Sequence, residues 1–472
     1  MNRCFIDYYR CPEEYSRFLR RKAQPVAEGY FSFGADATCY GHFSGGTPAA
    51  DPAGHLHNAS DDVVIEGGNA FLPFDPDEVV ENFRRELYVG DWRTGGVSFL
   101  ANLYYFLRPV LRVGLRRRLQ QIHLRGWDEL SFPRWPVDSS VDDIFGSLML
   151  LALRTSGAQR IPFIWFWPEG HASCAMMTHD VEATSGRDFC STLMDIDDSR
   201  NIKSSFQIVP EERYDVSEEF LSSVRDRGFE VAVHDLNHDG HLYRNRAQFL
   251  QRAEKINVYL QQYQAQGFRA GVLYRRQAWY DALKCSYDMS VPNVARLDPQ
   301  RGGCCTVMPY FVGDILELPV TMIQDYTLFY ILNDYSLDVW RRQADLIMRN
   351  HGLMSFIVHP DYVMAARQRS IYESLLDFLA EIRTREGVWI TTPGEVNRWW
   401  RQRAELRLVK DAEGWRIEGA GKERARIGWA SEAEGRVVVE VEPLRRISVP
   451  AQPGLDGEKI SPRAGMLPNY ER

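Results

Sequence analysis

The chain has 472 residues, 44% of them hydrophobic and 25% charged, with a net charge of −8. Such a composition fits a globular protein of two or three domains, and its negative balance gives no electrostatic case for a nucleic-acid partner. The N-terminal residues lack the apolar core of a secretory signal, and no run reaches the roughly 18 apolar residues of a membrane span, so a cytoplasmic location is expected.

The eight cysteines form no C-x-x-C pair and read as reduced, inert thiols, including adjacent Cys304 and Cys305. Residues 1–30 have an amphipathic helical pattern. Residues 31–70, rich in Gly, Ala, Asp and Ser, predict a long loop, with His42, His55 and His57 solvated in it. F-D-P-D-E-V-V-E-N-F-R-R-E-L at 74–87 predicts a helix capped by Asp75, with Pro76 at its first position and acids in the first turn. The segment 99–119 is apolar but carries Arg108, Arg112, Arg116, Arg117 and Arg118. A basic amphipathic helix of this kind can make peripheral membrane contact. A buried helix with a solvated arginine end is the alternative. This N-terminal extension, 1–159, is expected to be largely helical.

From residue 160 to 402 strands and helices alternate. Apolar runs at 161–167, 173–178, 204–210, 229–234, 268–274, 314–320, 353–359 and 389–392 read as strands. Helices are expected at 216–228, 244–266 and 337–350, and at T-T-P-G-E, where Thr392 and Glu395 have capping-box spacing. Repeated strand–helix alternation predicts parallel strands with crossover helices, an arrangement that gathers chemistry at the carboxyl ends of the strands. Residues 403–450 read instead as a small β-module with turns at Glu413-Gly414 and Glu434-Gly435, and 451–472 as a disordered tail.

Two strand ends carry metal-ligand residue types: T-H-D-V-E at 178–182 and H-D-L-N-H at 234–238. Neutral imidazoles with a carboxylate suit a divalent ion, and three protein ligands leave a position for water, the pattern of a catalytic metal. Asp180 and Glu182 supply two carboxylates, so one can bind metal while the other acts as general base. His234 and His238 are the favoured imidazole pair over His238 and His241. His179 and His359 also stand at strand ends, and His359 is placed to protonate a leaving amine. Asp314 and Glu317 are candidates for the site or for salt bridges. The order of ligands points to a metal-dependent hydrolase and leaves its substrate open.

The four segments together carry a family resemblance. T-H-D-V-E resembles the first motif of the polysaccharide deacetylases, the NodB-homology carbohydrate esterases, and H-D-L-N-H resembles their H-S/T-x-x-H motif. F-R-A-G at 268–271 is similar to their F-R-x-P motif, and F-I-V-H at 356–359 to the strand that ends in their catalytic histidine. The motifs follow family order over roughly 160–400. The resemblance implies a distorted (β/α) barrel. It also implies removal of N-acetyl groups from a carbohydrate, with metal-bound water attacking the amide carbonyl. Asp180 would be the general base, oriented by Arg269. Glu182, His234 and His238 would hold a divalent metal, zinc by analogy, and His359 would be the general acid, tuned by Asp314 or Glu317. The expected partner is an N-acetylated glycan or sugar precursor. Three positions depart from the pattern: Glu182 stands for Asp, Asp235 for Ser/Thr, and Gly271 for Pro. Hydrolysis of a non-sugar amide on the same fold, or carbohydrate binding without catalysis, are the alternatives.

Overall fold

The computed structural model describes residues 2–21, 26–35, 37–89 and 126–442. The arginine-rich segment 99–119 and the tail from 451 lie outside them. No helix among the described residues is long and apolar enough to cross a membrane.

The N-terminal region is mixed rather than largely helical. Helix α1 (Arg3–Tyr9) is followed by the short strand β1 (Phe18–Arg20). The expected loop is instead a hairpin, β2 (Ala27–Phe33) on β3 (Ala37–Phe43), then β4 (Val64–Glu66) and β5 (Asn69–Leu72). The reason is legible in the burial. Phe31, Phe33, Cys39 and Phe43 alternate with polar residues and point inward, so a small-residue composition concealed period-two strands. His42 and His57 lie on this surface, paired with Glu78 and Asp62, and His55 is exposed. Helix α2 (Pro76–Arg84) starts as its sequence requires, the Asp75 carboxylate accepting from the Asp77 N–H at 3.0 Å. Helix α3 (Ser140–Ser156) completes the region. All eight cysteines are free thiols, seven of them buried.

The strand β6 (Arg160–Ile164) does not join the main sheet. It pairs antiparallel with a C-terminal strand described below, and its apolar residues fill the core shared with the N-terminal region.

The alternating part then builds one curved sheet. It comprises β7 (Ser173–Val181), β8 (Ser205–Ile208), β9 (Glu230–His234), β10 (Gly267–Arg269), β11 (Tyr287–Asp288), β12 (Tyr310–Val312), β13 (Ile315–Glu317), β14 (Leu353–Ile357) and β15 (Val388–Ile390). Its order is β12-β13-β11-β10-β9-β8-β7-β14, with β15 also on β7. All pairings are parallel except β12 with β13. The ring closes loosely between the chain after β13 and strand β14. Met322 N–H donates to Ser355 O at 3.3 Å, and Thr321 Oγ1 donates to Leu353 O at 2.6 Å. The result is a distorted (β/α) barrel. Crossover helices α4 (Thr184–Asp198), α5 (Glu218–Asp226), α6 (Arg246–Gln262), α7 (Asp338–Arg349) and α8 (Ala366–Arg385) cover its outside. In α6, Phe249, Ala253, Ile256 and Leu260 face the barrel, whereas Leu250 is exposed.

Helix α9 (Pro393–Glu405) starts at Thr392, but no side-chain cap hydrogen bond forms there. The last strands are two hairpins, β16 (Arg407–Asp411) with β17 (Gly414–Glu418) and β18 (Ile427–Ala433) with β19 (Arg436–Val441), and β18 is the strand that receives β6.

Strand alternation sorts the barrel residues into two faces. Cys174, Met176, Ala232, Tyr287, Met289, Leu316 and Leu318 share the inner core with the N-terminal aromatics. Ala175, Met177, Phe206, Val233 and Phe268 share the outer core with the helices. Hence Thr178, Asp180 and His234 continue the inner rows of β7 and β9.

Candidate active site

The odd and even residues of β7 have different fates. Asp180 and Thr178 face inward, and the buried Arg269 guanidinium binds both: its Nη1 donates to Asp180 Oδ1 at 2.5 Å and to Thr178 Oγ1 at 2.8 Å. Its Nε donates to Met289 O at 3.0 Å, so the fork is fixed from three sides. His179 faces outward. Its ring lies 3.0 Å from Val358 O and 3.1 Å from Asp197 Oδ2, which also accepts from Ser204, so it is a structural histidine outside the site.

Glu182 stands at the centre. Its Oε1 lies 2.9 Å from His238 Nε2, 3.4 Å from His359 Nε2 and 3.6 Å from His234 Nε2. The second carboxylate is near: Asp180 Oδ2 is 3.6 Å from His234 Nε2. Two overlapping sets therefore have the reach to hold one cation, Glu182 with His234 and His238, and Asp180 with Glu182 and His359. His234 is oriented by its other nitrogen, Nδ1, 3.1 Å from Arg269 O, which aims Nε2 inward. The Nε2 atoms of His234 and His238 are buried and make no hydrogen bond. Buried polar atoms rarely stay unsatisfied, and two imidazole nitrogens beside a carboxylate suit a divalent metal. The residues fit such an ion. His241, the alternative ligand, is half exposed beside Asp239 and stays out of the cluster.

The electrostatics agree with this geometry. Burial by itself raises a carboxylate, but the charge of His238 and contacts from His234, His238 and His359 hold Glu182 well below its usual range. Burial likewise opposes ionisation of Asp180, and Arg269, His234 and His359 together keep it below its usual range. Burial would lower His359, yet Asp325 and Glu182 raise it well above the ordinary imidazole value. Glu182 thus gathers positive charge about itself, as protonated imidazole or as a bound cation.

Asp325 is the residue that sequence reasoning missed. Its Oδ1 lies 2.7 Å from His359 Nδ1, and its Oδ2 accepts the His359 backbone N–H at 2.8 Å. Glu317 and Asp314, the expected partners of His359, are elsewhere. Glu317 lies between Leu316 and Leu318 and so points to the outer face, where its Oε1 accepts from Val291 N–H at 2.9 Å. It neighbours Asp288 there; burial and then Asp288 push it well above the normal carboxylate range. Asp314 sits at a turn, where its carbonyl accepts from Arg401. The Tyr362 ring lies 4.7 Å from the His359 ring, with Tyr326 and Tyr330 beyond it.

The departures at 235 and 271 are a matched pair. Asp235 Oδ2 accepts the Gly271 N–H at 3.3 Å, a donor that proline lacks. A Cβ on residue 271 would sit 2.6 Å from Asp235 Oδ2 and 2.9 Å from His238 Cδ2. With Asp at 235, glycine is the residue that fits at 271.

No family model matches the chain, and no curated protein does. Solved structures do resemble it. A protein from Mycobacterium smegmatis assigned as a polysaccharide deacetylase is 19% identical, with a TM-score of 0.41, over 50% of this chain and 93% of its own. The allantoinase PuuE gives 12% and 0.38 over 50% and 92%. The peptidoglycan deacetylase PdaC from Bacillus subtilis gives 12% and 0.33 over 50% and 94%.

Proposed function

We propose that the chain is a metal-dependent hydrolase that removes N-acetyl groups from a carbohydrate. The observation that carries this reading is the convergence of three imidazole Nε2 atoms within 3.6 Å of Glu182 Oε1, two of them without a hydrogen bond. Glu182, His234 and His238 would hold the ion, and one carboxylate with two imidazoles is a donor set that suits zinc. When bound, the ion supplies positive charge that makes water more acidic and polarises a carbonyl oxygen.

The remaining roles follow from the residues themselves. Asp180, kept ionised by Arg269, accepts the proton of the attacking water. Arg269 fixes the direction of that carboxylate through the 2.5 Å contact, leaving Oδ2 free to act. His359 has Nδ1 committed to Asp325, so its Nε2 is the nitrogen turned to the site and donates a proton to the departing amine. Tyr362 packs on that ring and limits its rotation. Each role matches the one that the sequence resemblance implies, with Asp325 taking the place expected for Asp314 or Glu317.

The test is metal analysis of the purified chain combined with acetate release from an N-acetylated oligosaccharide, for wild type, His238→Ala and His359→Ala. The reading requires about one divalent ion per chain, lost in His238→Ala, and activity lowered about 10²–10⁴-fold in His359→Ala. Metal content without acetate release, but with cleavage of a non-sugar amide in the same panel, would move the substrate class. Absence of both metal and any hydrolysis would leave a carbohydrate-binding protein.

A further inference from the structure

His234 and His238 face Glu182 together but are held in different ways. The His234 ring is fixed by its second nitrogen, Nδ1, 3.1 Å from Arg269 O. His238 has no such partner. Among the described residues its Nδ1 makes no hydrogen bond, and its Nε2 has Glu182 beside it at 2.9 Å. A metal-ligating histidine ordinarily gives its other nitrogen to an acceptor that orients the ring. For His238 that orientation has to come through the backbone.

The backbone there is constrained. Asp235 and His238 both hold left-handed conformations, with φ of 56° and 53°, in the turn that follows β9. Residues other than glycine keep that conformation where their surroundings enforce it. The enforcing contacts come from the loop between β8 and α5. Glu211 N–H donates to Leu236 O at 2.9 Å. Arg213 Nε donates to Asn237 O at 3.1 Å, and its Nη2 donates to His238 O. Successive carbonyls of the turn, at 236, 237 and 238, are thus all bound by one loop. That loop is tied in turn to the other ligand segment. The Tyr214 hydroxyl donates to Val181 O, next to Glu182, at 2.7 Å and accepts from Val209 N–H at 3.0 Å.

The planar guanidinium makes the contact directional. Its donors form a rigid fork, so one side chain fixes two adjacent carbonyls at once, which a freely rotating ammonium does not. Arg213 is itself exposed. Water can therefore replace it on both carbonyls with little loss to the fold, but water does not fix the direction of the turn.

We propose that Arg213 is the positioning residue of His238: it holds the turn that aims His238 Nε2 at the ion, and so sets metal affinity without touching the metal. The proposal rests on the reading of Glu182, His234 and His238 as metal ligands. It adds to them a residue that lies outside every motif of the sequence resemblance.

The test is zinc affinity of the full chain, by competition with a chelating dye, together with the Tm of the metal-free protein, for wild type, Arg213→Lys and Arg213→Ala. Arg213→Ala is expected to bind zinc about tenfold to hundredfold more weakly. Its metal-free Tm is expected to stay within about 2 °C of wild type. Arg213→Lys, which keeps a donor but not the fork, should fall between the two in zinc affinity. With cobalt in place of zinc, the visible absorption bands of Arg213→Ala should shift from those of wild type, because the ligand geometry changes. Zinc affinity or a cobalt spectrum unchanged in Arg213→Ala would overturn the proposal. So would an affinity loss accompanied by a larger fall in metal-free Tm, which would assign Arg213 to the fold at large. A wild type that binds no divalent ion would refute the metal reading and this proposal with it, whereas zinc binding that both variants leave intact would refute the positioning role alone.

Discussion

The pairing of Asp235 with Gly271 makes a quantitative demand. Gly271→Pro restores the residue of the family motif, yet here it should be damaging. It removes the N–H that donates to Asp235 Oδ2 at 3.3 Å, a long bond worth about 1 kcal/mol. It also places a Cβ 2.6 Å from that oxygen and 2.9 Å from His238 Cδ2, an overlap that costs about 1–3 kcal/mol to relieve. The sum is about 2–4 kcal/mol, and the push on His238 should weaken zinc binding by about tenfold or more. Asp235→Ser alone leaves the Gly271 and Leu236 N–H groups without their acceptor and costs about 1–2 kcal/mol. Combined, the two changes remove the overlap with Asp235 and the unpaired Gly271 donor together, while the close approach to His238 stays. The double variant should therefore be more stable than the summed single losses by at least about 1–2 kcal/mol. Urea unfolding gives the stabilities, and zinc competition with a chelating dye gives the affinities. Additive losses within about 0.5 kcal/mol would show that the two positions do not sense each other, and the steric account would be wrong.

Other outcomes can be read more directly. Dialysis against a chelator should abolish hydrolysis and zinc should restore it; free zinc at 100 times its Kd should add about 2.7 kcal/mol to stability, seen as a rise in Tm. An unchanged Tm would argue against a bound ion. Asp325→Asn should lower kcat about 10²-fold with a small change in KM, because it frees the His359 ring, whereas Glu317→Gln on the outer face should leave kcat near wild type; the reverse ranking would reinstate Glu317. Glu230 lies half-buried against Gly394 N–H and the Tyr287 hydroxyl, and desolvation of its carboxyl raises it from 4.5 to about 7. The folded state then holds a proton that the unfolded chain releases, so this contribution is full below pH 4.5 and is lost as pH rises through 7. Thermal unfolding of Glu230→Gln should lack that downward slope; a difference from wild type that is flat with pH would refute it.

The sequence made the site legible wherever the chemistry and the strand period coincided. Along β7 and just beyond it the motif supplies carboxylates at 180 and 182, and period two puts both on the face of Thr178 and Met176. His179 had the right residue type and the wrong parity; its partner Asp197 comes from α4, which no local pattern announces. Glu317 failed by the same rule. The L-E-L-P pattern places leucines on the inner face and the acid outside, an alternation that itself excluded Glu317 from a site facing Asp180. Period-two strands were also hidden at 27–43, where glycine and alanine lower the apparent hydrophobicity and four buried aromatic or thiol side chains carry the hairpin.

Asp325 could not be read at all, and the reason is physical. Its role depends on the barrel closing where the chain after β13 meets β14, through the contacts of Thr321 and Met322 with Leu353 and Ser355. That closure brings residues 34 positions apart into contact, so both Asp325 oxygens meet the backbone and ring of His359.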